Sequence, residues 1–163
     1  MSNVKASERH ETKLTVIIKS IDLQKKITKF VFSKKKFPLR YRSILGKNLI
    51  NIFDEYMFHL QSGARIFPNT EFLYQEKVIE LNKALACLSN FEIQLVRLPE
   101  VIPSITNEKL RQYYELYDEI FKLCDGLRTN TQKTGIRLSK KNPSAMKSNI
   151  DSSGQYVSQF KNN

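Results

Sequence analysis

"LRQYYELYDEIFKLCDGL", residues 110–127, sets the fold class of this chain. Leu110, Tyr113, Tyr117, Ile120, Cys124 and Leu127 step by 3, 4, 3, 4 and 3. Steps of three and four place all six on one side of an α-helix, as in the seam of a helix packed lengthwise on another. The spacing predicts a helix from about Asn107 to Thr129, with Thr106 as its cap and Glu108 in its first turn. Gly126 near its end reads as a weak spot or a close contact.

Three more stretches upstream carry the same period. The first runs from about Glu11 to Lys35, with Leu14, Ile17, Ile18 and Ile21 and then Leu23, Ile27 and Phe30 on its apolar face. Its β-branched residues allow a strand reading of "LTVIIKSI", but the face continues past Ile21, which favours helix. The second runs from about Leu39 to Ala64. Gly46, Ile50, Phe53, Met57, Leu60 and Ala64 form its line, flanked by Leu45, Leu49, Ile52 and Tyr56. A glycine inside a helix costs about 0.5–1 kcal/mol against alanine, so Gly46 calls for a close approach of another helix. "QSGARIFPNTEF" breaks the pattern. The third stretch follows from about Glu71 to Leu98, capped by Thr70 and ended by Pro99 and Pro103. Tyr74, Val78, Leu81, Leu85, Leu88 and Leu95 form its seam, interrupted by Glu92.

Four amphipathic helices with short connections predict an all-α, antiparallel up-down four-helix bundle over residues 1–132, its first residues flexible. After about Gln132 the pattern stops. Residues 133–163 are rich in Ser, Asn and Lys and read as a disordered basic tail. Only five Gly and five Pro in 163 residues also favour helices.

The formal net charge is +11. Such a molecule is drawn to polyanions, and salt screens the attraction. The charge is lopsided. Residues 1–38 hold ten cations against three carboxylates, and residues 39–65 four against two. Residues 66–100 hold three against five, residues 101–132 four against five, and residues 133–163 six against one. The cations gather on the first helix and at "KKKFPLRYRSILG", the corner into the second. A solvated face is the ordinary reading of any one lysine. Ten within one helix and its exit repel each other, and a polyanion relieves that repulsion. Lys25, Lys26, Lys29, Lys34, Lys35, Lys36, Arg40, Arg42, Lys47 and Arg97 are the candidate nucleic-acid-binding residues. Arg40 and Arg42 lie in the first turns after the corner, where free backbone N–H groups favour phosphate. Tyr41 between them either stacks on a base or packs inward.

Catalytic chemistry is not expected. His10 lies in a polar segment, and His59 follows Phe58 as a boundary or satisfied core residue. No Cys/His spacing suits zinc, and no phosphate-binding glycine loop occurs. Glu76 and Glu80 lie one turn apart and Asp118 adjoins Glu119, but the Glu-x-x-His motif of di-metal bundles is missing. The expectation is therefore no catalytic residue, no cofactor and no metal. Cys87 and Cys124 fall in helical patterns and read as reduced core thiols of a cytoplasmic protein, with a disulfide, a metal pair or a redox switch as the lesser readings. No run of eighteen apolar residues occurs, and the polar start lacks the apolar core of a secretory signal.

The corner "KFPLRYRSILGKNL" resembles that of a bacterial four-helix-bundle family. One branch of the family is encoded in intervening sequences of 23S ribosomal RNA genes. The other is Avd, the accessory variability determinant of diversity-generating retroelements. The likeness spans about residues 15–130 and includes "LVRL" at 95–98 and Tyr117-Asp118-Glu119-Ile120. Asp125-Gly126-Leu127 keeps one glycine of the family's Gly-Gly-Trp ending and lacks its tryptophan. The resemblance implies a ring-like homopentamer with a positive surface or channel. It also implies binding to RNA and a reverse transcriptase in support of cDNA synthesis, with no active site. It places Phe37, Pro38, Arg42, Leu45 and Gly46 at the shared corner, and Arg97 and Glu119 at shared positions later in the chain.

Two other classes compete. One is a structural or protein-interaction bundle without a nucleic-acid partner. The other is a membrane-surface protein using the basic first helix. Against the latter, the apolar face of that helix is expected inside the bundle.

Overall fold

The computed structural model describes the backbone of residues 6–141 and the side chains of residues 13–135. Within that range the chain is all-helical. The first helix is Ala6–Phe32. The second begins as Leu39–Tyr41, widens into a π-helical turn at Arg42–Gly46 and continues as Lys47–Arg65. The third is Glu71–Val101 and the fourth Asn107–Lys141. The first and third helices each pack against the second and the fourth. None of them is long and apolar enough to cross a membrane.

One core runs between the helices. The expected line of the second helix is buried at Gly46, Phe53, Met57, Leu60 and Ala64, with Leu49, Ile52 and Tyr56 beside it. Phe53 meets Phe91 and Tyr56 edge-on, with centroids 5.0 and 5.1 Å apart. On the fourth helix Leu110, Tyr113, Tyr117, Ile120 and Cys124 are buried, as their spacing predicts. Burial, and then the neighbouring Asp125, push the Cys124 thiol up to about 12, so it stays protonated and inert. Both cysteines are free.

Glu92 does not break the third seam. The Tyr117 hydroxyl donates to its carboxylate at 2.9 Å, so the acid is satisfied at the edge of the core. Thr70 caps the third helix, its Oγ1 accepting from Leu73 N at 3.2 Å. Thr106 Oγ1 accepts from Lys109 N at 3.4 Å. A buried amine closes the link between the second and third helices. Lys77 Nζ donates to the Ile66 carbonyl at 2.9 Å, and burial, then Lys13, lowers its pKa.

The structure corrects four expectations. The inner face of the first helix is Val16, Ser20, Leu23, Ile27, Phe30 and Val31. Leu14 and Ile18 point outward, while Ile17 and Ile21 are only partly covered. Hydropathy alone hid this, because a serine stands on the core side. Ser20 Oγ donates to Val16 O and lies 2.7 Å from the Tyr56 hydroxyl, so it is buried without loss. Second, the third helix runs through Pro99 to Val101. Proline lacks one donor, yet Ile102 N still bonds the Leu98 carbonyl at 2.8 Å, and the chain turns only at Pro103. Third, Ile50 and, on the third and fourth helices, Tyr74, Val78 and Leu127 are only partly covered. Fourth, the fourth helix does not stop near Gln132. Thr131 is buried, with its hydroxyl on Leu127 O at 2.9 Å, and Gly135 lies against the Tyr74 ring. Small and polar residues carry the seam onward there, which an apolar count misses. The rest of the expected tail, residues 142–163, lies outside the described residues.

Two glycines behave oppositely. A Cβ on Gly46 would sit 2.6 Å from Val31 Cγ1 and 3.5 Å from the Phe37 ring. That is the close approach expected of it. Gly126 has nothing within 4 Å of such an atom. Gly126→Ala should therefore stabilise the fold by about 0.5–1 kcal/mol, whereas Gly46→Ala should destabilise it by about 1–3 kcal/mol through overpacking. Urea unfolding of both variants checks the opposed signs.

Candidate nucleic-acid interface

Between the first and second helices the chain turns over residues 33–38. Phe37 N bonds the Ser33 carbonyl at 2.9 Å, which closes the turn. The Phe37 side chain is fully buried and meets Phe30 edge-on at 5.5 Å. Its carbonyl faces Arg42, whose guanidinium donates to it from two nitrogens at 3.1 and 3.3 Å. With Phe37 turned inward, Lys34, Lys35 and Lys36 are left on the outside of the turn, all exposed. The π-helical turn follows at once. Lys47 N reaches back five residues to the Arg42 carbonyl.

The ten candidate cations divide into three sets. Lys34, Lys35 and Lys36 stand on the turn, with Arg40 and Lys47 exposed on the second helix just beyond it. Lys25 and Lys29 lie on the outer face of the first helix, on the side of Phe32, which is 64% exposed. The remaining three have other roles or places. Lys26 pairs with Asp22 at 2.8 Å, one helical turn away. Arg42 is half-buried and committed to the Phe37 carbonyl. Arg97 lies on the third helix, where it shares a crevice with Leu45 and Val101. Tyr41 is half-buried and packs on the core, with the Arg40 guanidinium 4.7 Å above its ring. Packing, rather than base stacking, is its structural role.

Ion pairs take up several of the surface cations but none of those on the turn itself. Lys19, Lys83, Arg111 and Arg128 each have a carboxylate partner, at 2.5, 2.9, 3.0 and 2.6 Å. Among the described residues, no carboxylate lies within ion-pair distance of Lys25, Lys29, Lys34, Lys35, Lys36, Arg40 or Lys47. Glu119 is the partner of Lys19 and ties the fourth helix to the first. His59 is engaged as well. Its Nδ1 lies 2.8 Å from Glu80, and the hydrogen bonds from His59 and Lys83 hold the Glu80 carboxyl below its ordinary range. Among the described residues, no three His, Cys, Asp or Glu side chains are grouped as a metal site.

The fold also brings to the corner two cations that are absent from the candidate set read from the sequence. A groove of about 540 Å³ opens between the turn and the start of the fourth helix. Lys35 and Lys36 line one part of it, and Lys109 and Arg111 another, over Phe30 and Tyr113. The sequence puts Lys109 and Arg111 in a mildly acidic segment, so charge counts along the chain carry no sign of them.

Comparison of the chain with protein-family models, curated proteins and solved structures returned no match. The functional reading therefore rests on the residues themselves.

Arg42 and Arg40 should separate on substitution. Arg42→Ala strips the Phe37 carbonyl of its guanidinium and should cost about 1–3 kcal/mol of stability. Arg40→Ala should change stability by less than about 0.5 kcal/mol. Thermal melts followed by circular dichroism distinguish them. Equal effects would mean that Arg42 does not hold the corner.

Proposed function

We propose that this chain is a non-catalytic nucleic-acid-binding accessory protein, of the kind that serves a reverse transcriptase. In this reading it holds template RNA, and cDNA made from it, in support of cDNA synthesis in a diversity-generating retroelement. One observation carries the nucleic-acid part: seven exposed cations along one helix face and its exit lack carboxylate partners among the described residues. Exposed like charges raise the free energy of the folded state, and a row of phosphates lowers it again while releasing counterions. Phe32 and the exposed Leu39 and Ile44 lie in sequence among these cations, which suits the apolar faces of unpaired bases.

The polymerase and the retroelement come from the resemblance to Avd at "KFPLRYRSILGKNL" and in the later helices. The same resemblance suggests a homopentamer. We read the four helices as an antiparallel up-down bundle, because the connections are short and helices next in sequence pack as neighbours. A protein partner has a surface available. Phe72, Ile79, Ile93 and Val96 on the third helix are each at least half exposed. This stripe also supports the second reading, an interaction bundle of the ribosomal intervening-sequence type with no polymerase. Co-purification with a reverse transcriptase encoded beside it separates the two. The free thiols suit a reducing cytoplasm.

A membrane-surface role loses one of its objections. Leu14 and Ile18 lie outside the core, on the same side of the first helix as Lys25 and Lys29. Leu14, Ile18 and Phe32 among lysines are little apolar area for stable insertion, and polyanion binding uses the whole basic surface.

Single-stranded RNA should bind with an affinity that falls linearly with the logarithm of salt concentration. Reversing Lys34, Lys35, Lys36 and Arg40 to Glu should flatten that slope by up to about 3, near 0.7 for each phosphate no longer neutralised, with helicity retained. Filter binding between low and moderate salt tests this. An unchanged slope, or wild-type binding to anionic lipid vesicles as tight as to RNA and lost in the variant, would remove the assignment.

A further inference from the structure

The groove at the basic corner has a chemistry more particular than positive charge. Lys35 and Lys36 supply two cations without a carboxylate partner among the described residues. Arg111 is matched by Glu115 at 3.0 Å, so that pair adds little net charge. Lys109 is anchored by its amine to the Ser104 carbonyl at 2.8 Å. Glu108 and Gln112 are exposed on the same wall, one turn apart on the fourth helix, and neither has a side-chain partner among the described residues. Phe30 and Tyr113, their rings 5.2 Å apart, lie beneath. A bare polyanion would use the two lysines and be repelled by Glu108. The volume of about 540 Å³ falls within the range of small-ligand sites.

A ligand that satisfies every wall has a phosphate, a flat ring and ring-edge N–H donors. We infer that this groove seats one unstacked nucleotide of the bound strand, with its phosphate at Lys35 and Lys36 and its base edge at Glu108 and Gln112. The inference rests on the nucleic-acid reading above and gives that surface a base preference. Glu108 accepts hydrogen bonds and donates none, so it selects bases with an exocyclic amine. Cytosine, adenine and guanine carry one; uracil offers only its N3–H, set between two carbonyl oxygens that repel a carboxylate. Gln112 offers both an acceptor and two donors and adapts to the remaining edge. The first turn of the fourth helix thus reads the base while the corner before the second helix holds the backbone.

The test uses the full chain and four probes: CMP, AMP, UMP and inorganic phosphate. Binding is followed by chemical shifts of the Tyr113 ring and the Gln112 side-chain amide. CMP and AMP should bind at least about fivefold more tightly than UMP, the lower end of what one base-edge contact discriminates. Inorganic phosphate should leave the Gln112 amide unmoved. Glu108→Gln should bring CMP and UMP to within about twofold of each other, since the new amide no longer selects a donor edge, with circular dichroism unchanged. Equal affinities for all four probes, or a CMP preference that survives Glu108→Gln, would overturn the inference. The nucleic-acid reading fails separately: it falls if single-stranded RNA does not bind at low salt, whatever the mononucleotides do.

Discussion

The corner between the first two helices depends on one buried ring and one carbonyl. Phe37 fills the end of the core against Phe30, and Arg42 grips the carbonyl of the same residue. Gly46, without a side chain, lets the second helix lie against Val31. These three contacts fix a turn too short to bend any other way, and they dictate which side chains face water. With Phe37 inward, three consecutive lysines before it must point out. Pro38 then starts the second helix, in which Arg40 is exposed. The electrostatic character of this end of the molecule is thus a by-product of packing, set by the residue that anchors the turn.

That placement makes the charge usable. Elsewhere on the surface several cations are balanced: Lys19 by Glu119, Lys83 by Glu80, Arg128 by Asp125. Such exposed pairs contribute little to stability, but they cancel the local field. On the turn, Lys34, Lys35, Lys36 and the nearby Arg40 have no such partner among the described residues. The fourth helix begins beside the turn and adds Lys109, with Arg111 already matched by Glu115, from a segment that is acidic overall. In the proposed function the turn takes the phosphates, and the groove beside it offers an aromatic floor and a polar wall to one nucleotide.

Periodicity revealed the four helices because each is long and buries a wide face. It was clearest at Leu110 to Cys124, where every third or fourth residue is large and apolar. It failed where the core uses small or polar groups. Ser20 sits inside because Tyr56 and the Val16 carbonyl satisfy it, and this rotates the true inner face of the first helix away from the one that hydropathy marks. Thr131 and Gly135 extend the fourth helix past the last large residue for the same kind of reason. The candidate site was legible as a charge run from Lys34 to Arg42. Its two cations committed elsewhere, Lys26 and Arg42, were not, because a partner one turn away or a carbonyl across the turn has no signature in a charge count. Lys109 and Arg111 are far from the corner in sequence and reach it only through the packing of the fourth helix on the first.

The central claim is that the unpaired cations of the corner hold phosphates while the paired ones elsewhere do not. Lysine reactivity toward an amine-modifying ester, read residue by residue by mass spectrometry with and without bound single-stranded RNA, tests it most directly. The account predicts strong protection of Lys34, Lys35 and Lys36, weaker protection of Lys25, Lys29 and Lys109, and none at the paired Lys19 or Lys83. Protection spread evenly over all exposed lysines, or centred on Lys19 and Lys83, would contradict it.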